Sequence, residues 1–154
     1  MHGTARLSVC DRDHIELNIN SDPANLAAAR TTVEEFCSTR GGFGIKSTGE
    51  IGLVVNEALA NVIRHAYSGA TDQPIRISVA FDATPPGSVT IAIRDWGSGE
   101  NPQARLEHHK PVNPATPGGL GLVCLREFMD EVRYAPQSDG MLLTMMRQKK
   151  SPEE

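Results

Sequence analysis

The sequence predicts an α+β fold, an α/β sandwich with helices on one face of a mixed, mostly antiparallel sheet. Three observations lead there. Residues 14–20, 75–81 and 89–93 alternate apolar and polar side chains, the mark of strands with one buried face. Residues 23–38 and 47–67 instead carry apolar residues at helical spacing. The order strand, helix, helix, strand, strand, helix, strand, strand buries these stripes most simply as two layers.

Along the chain, Ile15, Leu17 and Ile19 form the buried side of the first strand. Asp22 then offers an N-cap oxygen and Pro23 suits a first helical position. Leu26, Ala29, Val33, Phe36 and Cys37 follow at helical intervals, and Gly41, Gly42 and Gly44 end that helix. Ser47-Thr48-Gly49-Glu50 reads as a capping box, with the Ser47 oxygen on the Glu50 N–H and the Glu50 carboxylate reaching back. The helix it opens should run to about Tyr67, with Ile51, Val54, Val55, Ala58, Val62 and Ala66 as its stripe. Asn56, Glu57, Asn61, Arg64 and His65 lie off that stripe.

The strands of Ile75, Ile77, Val79 and Phe81 and of Val89, Ile91 and Ile93 flank a turn at 83–87, which makes a hairpin ending at Asp95. From Trp96 to Pro117 no period is sustained beyond a short helical turn over 103–108, and a loop of that length is usually functional or mobile. Leu122, Leu125, Phe128 and Met129 resume helical spacing, and 132–134 and 141–147 pair around Ser138-Asp139-Gly140. One domain is expected over 13–147, with 1–12 and 148–154 as flexible ends.

Composition narrows the function classes. A chain of 154 residues can bury one core. Its net charge of −4 argues against direct nucleic-acid binding, which needs a gathered basic excess. The first residues lack a signal-peptide core, and no apolar run approaches the roughly 20 residues that span a bilayer, so a cytoplasmic protein with no membrane contact is expected. Cys10, Cys37 and Cys124 have none of the paired spacings of a zinc site or disulfide framework and read as inert thiols.

Three stretches carry chemistry. Glu57 and Asn61 are four residues apart and project from one helix face, where two hard oxygens suit Mg²⁺ or the carboxylate serves as a base. The same pair is also common on a solvated helix. Asp95-Trp96-Gly97-Ser98-Gly99 combines a strand-end acceptor, suited to an adenine amino group, with glycines that admit a ligand close to the backbone. It also fits an ordinary strand-ending turn. Gly118-Gly119-Leu120-Gly121-Leu122 stands before a helix, where N–H groups and the helix dipole favour phosphate, yet it matches neither the dinucleotide fingerprint nor the P-loop.

In this order the three stretches resemble the N box and the two glycine boxes of the Bergerat-fold (GHKL) ATPases. The closer likeness is to the anti-sigma factor serine/threonine kinases of the RsbW and SpoIIAB type, and it runs from about Ile15 to Arg147. It rests on Val54 to Asn61 with His65-Ala66-Tyr67, on Ile93 to Gly99, and on Gly118 to Leu122 with Glu127 to Val132. The resemblance implies that Glu57 is the general base, that Asn61 ligates Mg²⁺ and that Asp95 accepts from adenine. Gly97 and Gly99 would shape the pocket under the base. Gly118, Gly119, Leu120, Gly121 and Leu122 would complete the ATP-binding stretch, with the loop before them as a lid. Two departures stand out. Met141 follows Gly140 where the family usually has Thr, and the bulky Trp96 separates Asp95 from Gly97.

The resemblance further implies a kinase acting on an anti-anti-sigma (STAS-type) partner, sequestering a sigma factor and pairing as a homodimer. The alternative is a nucleotide-binding partner-switch or scaffold protein without kinase activity, and a third reading is a regulatory module working with a phosphatase or receiver protein. A histidine kinase fits less well, since no helical hairpin with a phosphoacceptor is expected and His108-His109 falls in the lid.

Overall fold

The alternating stretches become strands. The computed structural model describes residues 5–98 and 119–150. Within it β1 (Arg6–Asp11), β2 (His14–Asn20), β3 (Pro74–Asp82), β4 (Ser88–Asp95), β5 (Glu131–Gln137) and β6 (Gly140–Gln148) form one sheet in the order β1-β2-β3-β4-β6-β5. All five pairings are antiparallel, which corrects the expected mixed sheet. Strands β4 and β5 do run the same way, but β6 folds back between them, so no parallel pair forms.

The arm expected to be flexible contains β1, which pairs with β2 through Leu7↔Leu17 and Val9↔Ile15. Leu7 is exposed, so no buried alternation announces this strand, and backbone hydrogen bonds to β2 hold it.

Among the described residues three helices cover one face. A short 3-10 turn, Pro23–Asn25, is capped by Asp22, whose carboxylate accepts from Ala24 N at 2.9 Å, and leads into α1 (Leu26–Thr39). Helix α2 (Ile45–Asn61) continues into a π-helical turn, Val62–Ala66, and α3 (Gly119–Phe128) packs beside α2. Ile51, Leu59, Ile75, Ile77, Ile91, Ile93, Leu125 and Met145 are fully buried between the layers. Each such side chain contributes roughly 1.5–3 kcal/mol on leaving water. No described helix is long and apolar enough to cross a membrane.

The capping box does not form. Helix α2 begins two residues before Ser47, with Gly44 as its N-cap, and Ser47 is buried inside the first turn. Its hydroxyl accepts from Arg147 Nη2 at 2.8 Å, while Glu50 Oε1 accepts from the same nitrogen at 3.1 Å. A buried guanidinium needs acceptors more than an exposed helix start needs a cap, because an unpaired internal charge is the larger cost.

Candidate nucleotide site

Helix α2 brings Glu57 and Asn61 to one face, both half-buried. The Arg64 guanidinium, in the π-helical turn that follows, donates to Asn61 Oδ1 at 2.6 Å. Helix α3 packs against α2. Its Cys124 is close enough to Glu57 that the carboxylate, after burial, helps raise the thiol's pKa. Cys37 is more deeply buried, which pushes its thiol up to about 12.

Strand β4 delivers Asp95 to the edge of this space. Because alternation along β4 buries Val89, Ile91, Ile93 and Asp95 on one side, the carboxylate points toward the helices rather than the open sheet face. Asp95 Oδ1 accepts from Gly97 N at 2.9 Å, and the Met141 N–H also donates to the carboxylate. Burial raises its pKa above the ordinary carboxylate range, and these donors with Arg94 offset part of that rise.

The chain after Asp95 is held against the end of α2. Trp96 N donates to the Tyr67 hydroxyl at 2.8 Å, and Ser98 N donates to the Ala66 carbonyl at 3.1 Å. Gly97 lies so close to Ala66 that a Cβ would overlap its carbonyl oxygen, which explains a glycine there in packing terms. The Trp96 ring takes the other side of the sheet, between Arg76 at 5.4 Å and Arg94 at 4.7 Å from its centroid. Across the sheet, Gly140 adopts φ +136° beside the Asp95 carbonyl, a backbone state that favours glycine.

Gly119, Leu120, Gly121 and Leu122 form the first turn of α3, so the helix starts earlier than expected. The N–H groups of a first turn have no partner within the helix. Gly99, Gly118, His108 and His109 fall outside the described residues. Backbone bonds tie the Asp95–Ser98 stretch to the turn that continues the helix of Glu57 and Asn61, and Glu57 acts electrostatically on Cys124 of α3. Tyr67 takes part through Trp96 N; in sequence it stands only as the expected helix end and in the matching stretch His65-Ala66-Tyr67.

This donor set fits a magnesium nucleotide. Two neutral or anionic oxygens on α2 can share an ion with phosphates and water but are too few to hold it alone. Among the described residues no cluster of three or more His, Cys, Asp or Glu forms a metal cage.

The model of the histidine kinase-like ATPase domain matches residues 19–147, from the end of β2 to the last residue but one of β6, and takes in all of these side chains. The chain belongs to this family. A histidine kinase-like ATPase domain implies ATP binding. The domain is 26% identical to the serine-protein kinase RsbW of Oceanobacillus iheyensis over 85% of this chain and 84% of that protein. It is 31% identical to the anti-sigma F factor of Halalkalibacterium halodurans over 90% and 92% of the two chains. In fold it matches a crystal structure of RsbU and RsbW domains from Mycobacterium tuberculosis, with a TM-score of 0.60 at 18% identity. That match covers 86% of this domain and 32% of the longer chain. The Bergerat-type α+β architecture read from the sequence is therefore the fold of this protein.

Proposed function

We propose that the protein is an ATP-binding anti-sigma regulator that acts as a serine/threonine protein kinase on an anti-anti-sigma partner. The observation that carries this reading is that Glu57 and Asn61 share one half-buried face of α2 while β4 ends in the buried acceptor Asp95. The relatives named serine-protein kinase and anti-sigma F factor support it across nearly the whole chain.

In this proposal Asp95 accepts from the adenine amino group, Gly97 and Gly99 let the base approach, and residues 118–122 receive the phosphates. Asn61 holds Mg²⁺, which when bound lessens the charge that develops on the transferred phosphoryl group. Glu57 takes the proton from the partner's serine hydroxyl as its oxygen attacks the γ-phosphorus, and the bond from that phosphorus to the β–γ bridging oxygen breaks so that ADP leaves. A general base of this kind contributes on the order of 10²–10⁴ in rate. Exchange between the anti-anti-sigma protein and a sigma factor is then the regulatory step, with a homodimer as the working unit.

Calorimetry with ATP·Mg²⁺ beside an Asn61→Ala control tests the site, and absence of heat for the wild type would remove it. Labelled ATP with a purified STAS-type protein tests the chemistry: Glu57→Ala should retain ATP binding and lose transfer. Met141, with no hydroxyl where the family usually has one, favours a second reading in which nucleotide and partner bind without transfer. Label appearing on a partner serine would sink that alternative.

A further inference from the structure

Tyr67 follows the π-helical turn at the end of α2, and nothing in the proposed chemistry uses it. Its ring is buried, yet its hydroxyl is fully engaged, donating to the Pro74 carbonyl at 2.5 Å and accepting from Trp96 N at 2.8 Å. One residue earlier, the Ala66 carbonyl accepts from Ser98 N at 3.1 Å. Both acceptors are presented by the π-helical turn Val62–Ala66 and the residue that follows it, where Tyr67 N reaches back to Val62 O at 3.1 Å. A π-turn widens the helix by one residue per hydrogen-bonded ring and re-aims the groups at its end. Here it re-aims them at the backbone on either side of Gly97.

We infer that this turn is a clamp on the nucleobase loop, with Tyr67 as a positioning residue that fixes Asp95, Trp96 and Gly97 against the helix carrying Asn61. The inference rests on the nucleotide reading and adds to it a physical link between the base end and the metal end of the site. Asp95 Oδ1 accepts from Gly97 N, so the carboxylate's orientation depends on where Gly97 sits. Gly97 in turn packs on the Ala66 carbonyl with no room for a side chain. Tyr67 and Ala66 therefore set the acceptor's direction through two backbone bonds on consecutive turns of one loop. Burial raises the pKa of the Tyr67 hydroxyl, which stays a neutral donor and acceptor at neutral pH.

Tyr67→Phe keeps the ring and deletes only the oxygen. The variant should fold as the wild type does and bind ATP about three- to tenfold more weakly, the worth of one buried hydrogen bond. Its preference for ATP over GTP should fall, because Asp95 reads the base and loses its fixed direction. Trp96 is the sole tryptophan, so its quenching by acrylamide reports the loop without any ligand, and quenching should increase. A role in packing alone would leave both the ATP-over-GTP ratio and the Trp96 quenching at wild-type values, and that result overturns the clamp while nucleotide binding stands. Failure of the wild type to bind ATP overturns both. Should Tyr67→Phe not fold, Ser98→Pro deletes the second bond from an exposed position; the same changes are expected, and wild-type behaviour overturns the inference.

Discussion

The Arg64 guanidinium donates to the Asn61 amide oxygen at 2.6 Å, so a cation already engages the oxygen proposed for Mg²⁺. The two residues are three apart at the end of α2, where such a contact forms readily. Metal entry must displace it. Arg64→Ala should therefore lower the Mg²⁺ concentration for half-maximal ATP binding by about two- to fivefold, the worth of a modest exposed hydrogen bond. Stability should stay within about 0.5 kcal/mol, since Arg64 is exposed. A magnesium titration at fixed ATP measures this. A higher magnesium requirement in the variant would show that Arg64 assists the phosphates instead of competing with the ion.

Arg147 is buried and joins three elements. It donates to Ser47 on α2, to the Phe128 carbonyl at the end of α3 at 3.1 Å, and to Glu50. Arg147→Ala strips these acceptors of their donor and should destabilise the fold by about 3 kcal/mol. Ser47→Ala removes a single bond and should cost nearer 1 kcal/mol. Urea unfolding gives both numbers, and equal effects for the two variants would refute the hub role of Arg147.

These two residues also show where sequence reasoning works and where it stops. Period-two alternation placed β2, β3 and β4 because one side of each strand is buried, as Ile15, Ile77 and Ile91 are. Strand β1 was invisible by the same logic, since an edge strand held by its backbone needs no apolar pattern. The spacing of Glu57 and Asn61 put them on one face of α2, whatever packs around it. Ser47 misled because a local capping signal carries no information about Arg147, 100 residues away. Tyr67 was hidden for a related reason: its working partner, Trp96 N, is a backbone group, and side-chain patterns do not reveal those.

Asp95 gives a pH-dependent prediction. Burial is the main influence on its carboxyl and raises the pKa in the folded protein. An acid with a raised folded pKa costs stability while ionised, and that cost is relieved as pH falls through the folded pKa toward the unfolded value. In the proposed site the ionised acceptor reads adenine, so binding and stability would pull in opposite directions. At neutral pH, Asp95→Asn should melt at or above the wild-type temperature while losing ATP-over-GTP preference. The stability gain should vanish in acid, where the wild-type carboxyl is protonated. Melting curves at neutral and acid pH test this, and a variant markedly less stable at neutral pH would count against it.

Met141 is the departure most open to a direct test. It lies opposite Asp95 in the β4–β6 ladder, and alternation with the buried Leu143 and Met145 puts its side chain on the helix-facing side, next to the carboxylate. Its N–H already serves Asp95, so a substitution there keeps that bond and changes only the side chain. Threonine is a good strand former and brings a hydroxyl that can donate to Asp95 or to a water on the base. Against this, the half-buried thioether gives up some apolar contact, a loss of about 1 kcal/mol or less at such a position. Met141→Thr should therefore bind ATP about three- to tenfold more tightly, with a higher ATP-over-GTP ratio, at nearly unchanged melting temperature. Calorimetry with both nucleotides reads the effect. Equal tightening for ATP and GTP would mean that the hydroxyl acts on the sugar or phosphates, and no tightening would place Met141 outside the base's hydrogen-bond network.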